Sequence, residues 1–346
     1  MKQKTLLIID DEAANLAVLK SILGDTYKLY FLKSGADTLR MTKKHKPDLI
    51  LLDIVMPGMD GFEVLSMLKK DKETERVPVM FISGLNDAKK EEQGLKLGAI
   101  DFISKPFSPS IVLERIRIHL SLVRASALEE SYMEAVGMLC EAGHHNDTDT
   151  GLHVWRMASY CRHIAEKRGW DAELSEMFFY AASLHDTGKI AIPTQILQKP
   201  GKLTEQEFEI MKTHTTSGMS ILGRSMNPMF SMAADIAGCH HEKFDGTGYP
   251  YGLKGKMISE PVRIVALCDV FDALTTKRPY KDAWPVEEAI AFLESQRGKH
   301  FDPEILDVFL DNIDEIIEIK EEWFAKEGLQ EKQAAPVLKV VSNYMF

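Results

Sequence analysis

Five short apolar runs, TLLIID, KLYFLKS, LILLDIV, PVMFIS and DFISK, punctuate the first third of the chain, with amphipathic stretches such as EAANLAVLKSILG between them. Near-continuous apolar strands are what a parallel sheet buried on both faces requires, and strands alternating with helices give a doubly wound α/β fold. The pattern then changes. From Ser110 to about Ala142 the sequence reads as one long helix with no proline, and beyond it the patterns are helical throughout, as in LHVWRMASYCRHIAEKRG. The expected architecture is an α/β domain over residues 1–122, a connector helix over 110–142 and an all-α domain over 128–320. A tail follows over 321–346, with EKQAAP as its linker and an apolar end.

In an open parallel sheet the functional site lies at the carboxyl ends of the strands. Asp10 and Asp11 close the first run, Asp53 the third, Ser83 the fourth and Lys105 the fifth. Three carboxylates gathered there repel one another unless a cation offsets them, and an all-oxygen donor set suits Mg²⁺. With Mg²⁺ and Lys105 balancing its charge, Asp53 can act as a nucleophile toward a phosphoryl group.

The helical half carries a different chemistry. In SLHDTGKI, residues 183–190, His185 and Asp186 are adjacent, and Lys189 follows at the spacing that shares a helix face. An imidazole nitrogen beside a carboxylate oxygen suits Mn, Fe, Zn or Ni. A His-Asp dipeptide alone is weak, since most are helix caps or surface pairs. Here it has company: His240 and His241 in CHHEKFDGTGYP, His214 in MKTHTTSG, Asp269 in ALCDVFDAL, and Asp149 four residues before His153 in DTDTGLHVWR. Histidines and aspartates drawn from several helical segments are the make-up of a dinuclear or trinuclear centre that activates water.

These ordered motifs, TGLH, HDTGK, HTTSG, HHEKFDGTGYP, DVFDALT, RPYK and GKHFDP, resemble the HD-GYP family of cyclic dinucleotide phosphodiesterases over roughly residues 130–315. The first domain, with DIVMPGMDG after Asp53 and SKPF at Lys105, resembles the flavodoxin-like receiver domain of two-component response regulators. The receiver resemblance implies Asp53 as phosphoacceptor, Asp10, Asp11 and Asp53 around Mg²⁺ with a backbone carbonyl near Val55, and Ser83 on the phosphoryl oxygens. It makes Phe102 either a switch aromatic or a plain core residue, and it implies a sensor histidine kinase as partner. The HD resemblance implies that Asp186 bridges two metals, one completed by His153, His185 and Asp269, the other by His214, His240 and His241. Asp149 stands where some members place a glutamate for a third metal; it is shorter by one methylene, and a helix cap is the competing role. Lys189, Arg278 and Lys281 correspond to phosphate contacts. Tyr249 either stacks on a purine or packs against the ligand helices. The loop around it is also implicated in contacts with diguanylate cyclases or other proteins.

The resemblance therefore implies a response regulator that hydrolyses cyclic di-GMP to linear pGpG with two or three divalent transition metals, and leaves open a second cleavage to GMP. Fe or Mn is preferred and Ni or Zn is the alternative. The competing readings are a catalytically silent sensor of cyclic dinucleotides and an HD phosphohydrolase with another substrate, such as cyclic GMP-AMP. Ile111, Ile118, Val123 and Leu128 fall near a heptad-like seam, so the connector either pairs with a second subunit or merely links two domains.

Composition sets the outer bounds. A net charge of −10 argues against polymeric nucleic acid or an anionic membrane as the main partner. No span approaches the roughly 20 apolar residues of a membrane helix, and TLLII, followed at once by DDE, is too short for a signal peptide. Cys140, Cys161, Cys239 and Cys268 show no CxxC spacing and read as reduced buried thiols of a cytoplasmic protein. His45, His119, His144, His145 and His163 are read as ordinary residues, and His300 as a structural one.

Overall fold

The computed structural model describes residues 3–84, 88–144, 151–277 and 282–333. Two compact units divide between Ser131 and Tyr132. In the first, β1 (Thr5–Ile9), β2 (Lys28–Leu32), β3 (Leu49–Asp53), β4 (Val79–Ser83) and β5 (Asp101–Ser104) form a parallel sheet of order β2-β1-β3-β4-β5. Its helices are α1 (Ala13–Leu23), α2 (Thr38–His45), α3 (Gly61–Lys70) and α4 (Ala88–Lys96), followed by α5 (Pro109–His144). Alternate residues of β1 explain why its run is apolar without interruption. Leu6 and Ile8 pack with α1 and with Val112 and Ile116 of α5, whereas Leu7 and Ile9 pack with Val64, Leu65 and Leu68 of α3. The order reverses at β1, whose neighbours are β2 and β3, so Asp10 and Asp53 flank the switch point where such sheets hold ligands.

The second unit is helical: α6 (Gly151–Lys167), α7 (Ala172–Ser183), α8 (Thr194–Leu197), α9 (Glu205–Leu222), α10 (Pro228–Cys239), α11 (Glu260–Thr275), α12 (Val286–Ser295), α13 (Pro303–Asp311) and α14 (Ile313–Gln333). One core joins them, built on Trp155, Tyr160, Phe178, Phe271 and Phe309. The capping box of Thr204 and Glu207 starts α9, and Pro at the first turn starts α10, α11 and α13.

One expectation moves. The tail was expected to open at 321, yet α14 runs on to Gln333, and Trp323 is 1% exposed with its indole N–H donating to Ser159 Oγ at 3.0 Å. Burying such a ring stabilises by about 1.5–3 kcal/mol, enough to keep this turn in the domain. The rest of that tail, 334–346, lies outside the described residues. The seam residues Ile111, Ile118, Val123 and Leu128 are all exposed on α5, as is Leu122. All four cysteines are buried, and no helix among the described residues is long and apolar enough to cross a membrane.

Candidate functional site

At the carboxyl edge of the sheet, Asp10, Asp11 and Asp53 each bring one oxygen within 4.8 Å of the others'. Asp10 is held by the Glu12 N–H at 2.8 Å and by Asn15 Nδ2, and Lys105 Nζ stands 3.1 Å from both Asp10 Oδ2 and Asp53 Oδ2. Burial pushes the Asp53 carboxyl up from its usual range, the Lys105 hydrogen bond opposes this, and Asp10 adds to it. One lysine does not neutralise three carboxylates, and an all-oxygen donor set fits a hard dication. Ser83 is buried and donates to Glu91 Oε1 of α4 at 3.3 Å. Phe102 lies inside, stacked on Phe81 at 5.7 Å, in space that exists because residue 94 is glycine: a Cβ there would stand 2.9 Å from both rings.

In the helical unit two groups of ligand atoms form, His153 with His185 and Asp269, and His214 with His240 and His241. Asp186 lies between them. Its Oδ2 is 3.2 Å from His185 Nε2, and its Oδ1 is 3.5 Å from His214 Nε2 and 3.6 Å from His240 Nε2. Lys189 Nζ is 2.7 Å from Asp186 Oδ2.

The ligands were expected on helices. His153, His214 and Asp269 are within α6, α9 and α11, but the others sit where helices stop. α7 ends at Ser183, so His185 and Asp186 occupy the turn before a 3₁₀ segment, Thr187–Ala191; His240 caps α10, and His241 follows it. The HD turn can lie on α9 only because residue 188 is glycine: a Cβ there would collide with the His214 carbonyl oxygen and the Gly218 nitrogen.

Backbone carbonyls aim three of the imidazoles. His185 Nδ1 donates to Ala182 O at 3.1 Å, His214 Nδ1 to Met211 O at 2.7 Å, and His240 Nδ1 to Ala237 O at 3.1 Å. Because a carbonyl only accepts, Nδ1 carries the proton and Nε2 keeps its lone pair. The Nε2 atoms of His214 and His240 then face each other at 3.4 Å, two acceptors with no proton between them. That juxtaposition fits a shared cation. Burial, above all, depresses the basicity of His214, His240 and His241, the last to about 4. His153 differs: burial opposes its charge, but Asp272 and Asp269 outweigh it and push it up to about 9.

Asp272 and Arg156 were missed in the sequence. Asp272 is fully buried, 2.5 Å from His153 Nδ1, and Arg156 grips it through two hydrogen bonds of 2.6 and 2.7 Å. The signal was present, since each follows a ligand by three residues, Asp269 to Asp272 and His153 to Arg156, which is one helix face. Glu242 was also missed; buried, it accepts the Tyr251 and Leu253 N–H groups and shapes the GYP loop. Tyr249 packs on the His241 ring, centroids 4.8 Å apart, with Phe208 edge-on at 6.1 Å. His45 stacks on Tyr30, His119 pairs with Asp101, His163 pairs with Glu315, and His300 stacks on Phe301. Asp149, Arg278, Lys281 and His145 lie outside the described residues, as does the His144 side chain.

A parallel α/β unit with an acid cluster at its switch point, followed by a helical unit with a two-lobed His/Asp centre, defines a receiver joined to a metal-dependent hydrolase domain. Residues 6–117 match the response regulator receiver domain and residues 127–305 the HD domain. The chain is 35% identical to the probable cyclic di-GMP phosphodiesterase of Vibrio cholerae serotype O1, over 95% of this chain and 82% of that one. It is 37% identical to the cyclic di-GMP phosphodiesterase response regulator RpfG of Xanthomonas campestris pv. campestris, over 88% and 86%. It is 44% identical to the 3'3'-cGAMP-specific phosphodiesterase 2 of Vibrio cholerae, over 56% and 37%. The chain belongs to the family of response regulators that couple a receiver domain to an HD domain.

Proposed function

We propose that this chain is a phosphorylation-controlled phosphodiesterase that hydrolyses cyclic di-GMP to linear pGpG and on to GMP. The observation that carries the reading is Asp186 standing between two three-residue ligand groups. His153, His185 and Asp269 would hold one divalent ion and His214, His240 and His241 a second, with Asp186 placed between the two groups. Imidazole and carboxylate donors without thiolate suit Fe or Mn, with Ni or Zn also accommodated. Bound ions of this kind lower the pKa of water and neutralise the charge of the attacked phosphate. Lys189, fixed against Asp186, presents an ammonium to a phosphate oxygen; Arg278 and Lys281 supply further positive charge, and Asp149 is the candidate for a third ion. The burial that keeps His240 and His241 neutral leaves both free to ligate at neutral pH. Tyr249, packed on His241, holds that imidazole in place.

Asp53 is the phosphoacceptor, with Asp10, Asp11 and Asp53 around Mg²⁺, Lys105 and Ser83 meeting the phosphoryl oxygens, and Phe102 starting from its inward position. A sensor histidine kinase supplies the phosphoryl group. α5 carries the signal, and its exposed Ile111, Ile118, Leu122 and Leu128 fit pairing with a second copy. The GYP face, with Tyr251 exposed, suits contacts with diguanylate cyclases or other proteins. Four buried cysteines without CxxC spacing fit the cytoplasm.

A second reading has support of its own: the relative at 44% identity over the HD part is named for cGAMP. The test is turnover of cyclic di-GMP and of cyclic GMP-AMP by the Mn-loaded protein, with products separated by chromatography. The His185→Ala/Asp186→Ala double variant is the control. Linear product from cyclic di-GMP that disappears in the variant is the expected result. Turnover of cyclic GMP-AMP alone establishes the second reading, and bound nucleotide without product in metal-replete protein overturns both in favour of a sensor.

A further inference from the structure

His153 differs from His185, His214 and His240 among the candidate ligands. His185, His214 and His240 satisfy Nδ1 with a carbonyl of the preceding helical turn, whereas His153 Nδ1 meets a buried carboxylate, Asp272 Oδ2, at 2.5 Å. Asp272 belongs to neither ligand group. Its charge, burdened by burial, is held by Arg156, whose Nε and Nη2 bond its two oxygens, and Thr276 Oγ1 approaches Oδ2 at 3.3 Å. Arg156 is fully buried in turn, donates to Thr276 Oγ1 at 2.9 Å, and lies against the Phe324 ring at 4.7 Å. Phe324 is on α14 beside Trp323, which anchors that helix to Ser159. A line of contact thus runs from the C-terminal helix through Arg156 and Asp272 to His153, whose Nε2 is 3.6 Å from Asp269 Oδ1.

We infer that Asp272 is a positioning residue: it fixes His153 as the Nδ1–H tautomer, aims Nε2 at the ion shared with His185 and Asp269, and does so only while Arg156 and Phe324 hold it. A carboxylate behind a ligating imidazole both orients it and raises its donor strength, and loss of such a partner costs about 10–100-fold in metal affinity. Bidentate pairing with Arg156 is what makes a bare carboxylate tolerable at this depth. The effect is confined to one lobe of the centre, because in the other His214 and His240 take their orientation from backbone carbonyls and His241 packs on Tyr249. The inference rests on the metal-centre reading above.

The experiment titrates Mn²⁺ into the metal-free full chain, reading bound ion by electron paramagnetic resonance, and records the visible spectrum of the Co²⁺-loaded protein. Wild type is expected to bind at least two ions. Asp272→Asn is expected to weaken one ion about 10–100-fold while the other keeps its affinity, and to change the Co²⁺ spectrum. Asp272→Asn strands a buried guanidinium, so the charge-neutral double variant Arg156→Gln/Asp272→Asn is measured beside it and is expected to show the same selective loss. Phe324→Ala is expected to give a smaller loss at the same ion. Unchanged affinities and spectrum in both Asp272 variants, with wild type binding two ions, overturn the positioning role alone. A wild type that binds no stoichiometric ion overturns the metal centre and the inference with it.

Discussion

Gly188 and Gly218 meet backbone to backbone. A Cβ on Gly188 would strike the carbonyl oxygen of His214 and the nitrogen of Gly218, and a Cβ on Gly218 would stand 3.0 Å from the Ala237 Cβ and 3.2 Å from the Gly188 nitrogen. This contact presses the turn bearing His185 and Asp186 onto the helix bearing His214. Gly188→Ala forces the two apart, and overpacking of this kind costs typically about 1–3 kcal/mol, more where the obstacle is backbone. The variant is expected to melt several degrees lower and to bind substoichiometric metal. Wild-type melting and metal content together would show that the approach is not needed.

Lys189 tests the division between binding metal and handling substrate. Its ammonium bonds Asp186, and a charge-assisted hydrogen bond is worth about 1.5–3 kcal/mol. Lys189→Ala is expected to lower kcat/KM about 10–100-fold with metal content unchanged. Loss of metal in step with activity would instead make Lys189 a support for Asp186.

Removal of the proposed acceptor isolates the receiver. Asp53→Asn keeps the shape of a residue 5% exposed but cannot form an acyl phosphate. Incubated with acetyl phosphate and Mg²⁺, wild type is expected to gain one phosphoryl group by intact mass spectrometry and the variant none. Hydrolysis by the variant should no longer respond to the phosphodonor. A phosphorylated Asp53→Asn chain would move the acceptor elsewhere.

His300 carries a pH dependence with a definite sign. Burial, and then Lys243, push it down to about 4, from about 6.5 in an unfolded chain. The unfolded state therefore binds more protons between those values, and the stability His300 contributes is complete above about pH 6.5 and lost as pH falls toward 4. His300→Gln should flatten the acid limb of melting temperature against pH in that window relative to wild type. Parallel curves would mean that the ring is charged in the fold.

The legible parts of the sequence were those where one residue type answers one physical demand. Unbroken apolar runs gave the sheet, because a strand covered on both faces has no polar side. Carboxylates at strand ends and clustered His and Asp pointed to the two candidate groups that the fold brings together, because mutual repulsion and ligand chemistry leave few other uses for them. Asp272 and Arg156 escaped because a buried pair reads in sequence like two surface charges. The HD turn was placed on a helix because the run before it reads as helical, whereas α7 stops at Ser183 and the turn packs on α9 through Gly188 and Gly218. The end of the domain was set too early because α14 turns polar after 320, while a single tryptophan, Trp323, holds it down.

The carbonyls that aim His185, His214 and His240 belong to the same helices as the rings they hold, or to the turn just before them. These ligands are therefore oriented by folding itself, before any ion arrives. A chelator is therefore expected to strip metal from the centre without unfolding the domain. Metal loading thereby becomes a variable separate from the proposed phosphorylation of Asp53.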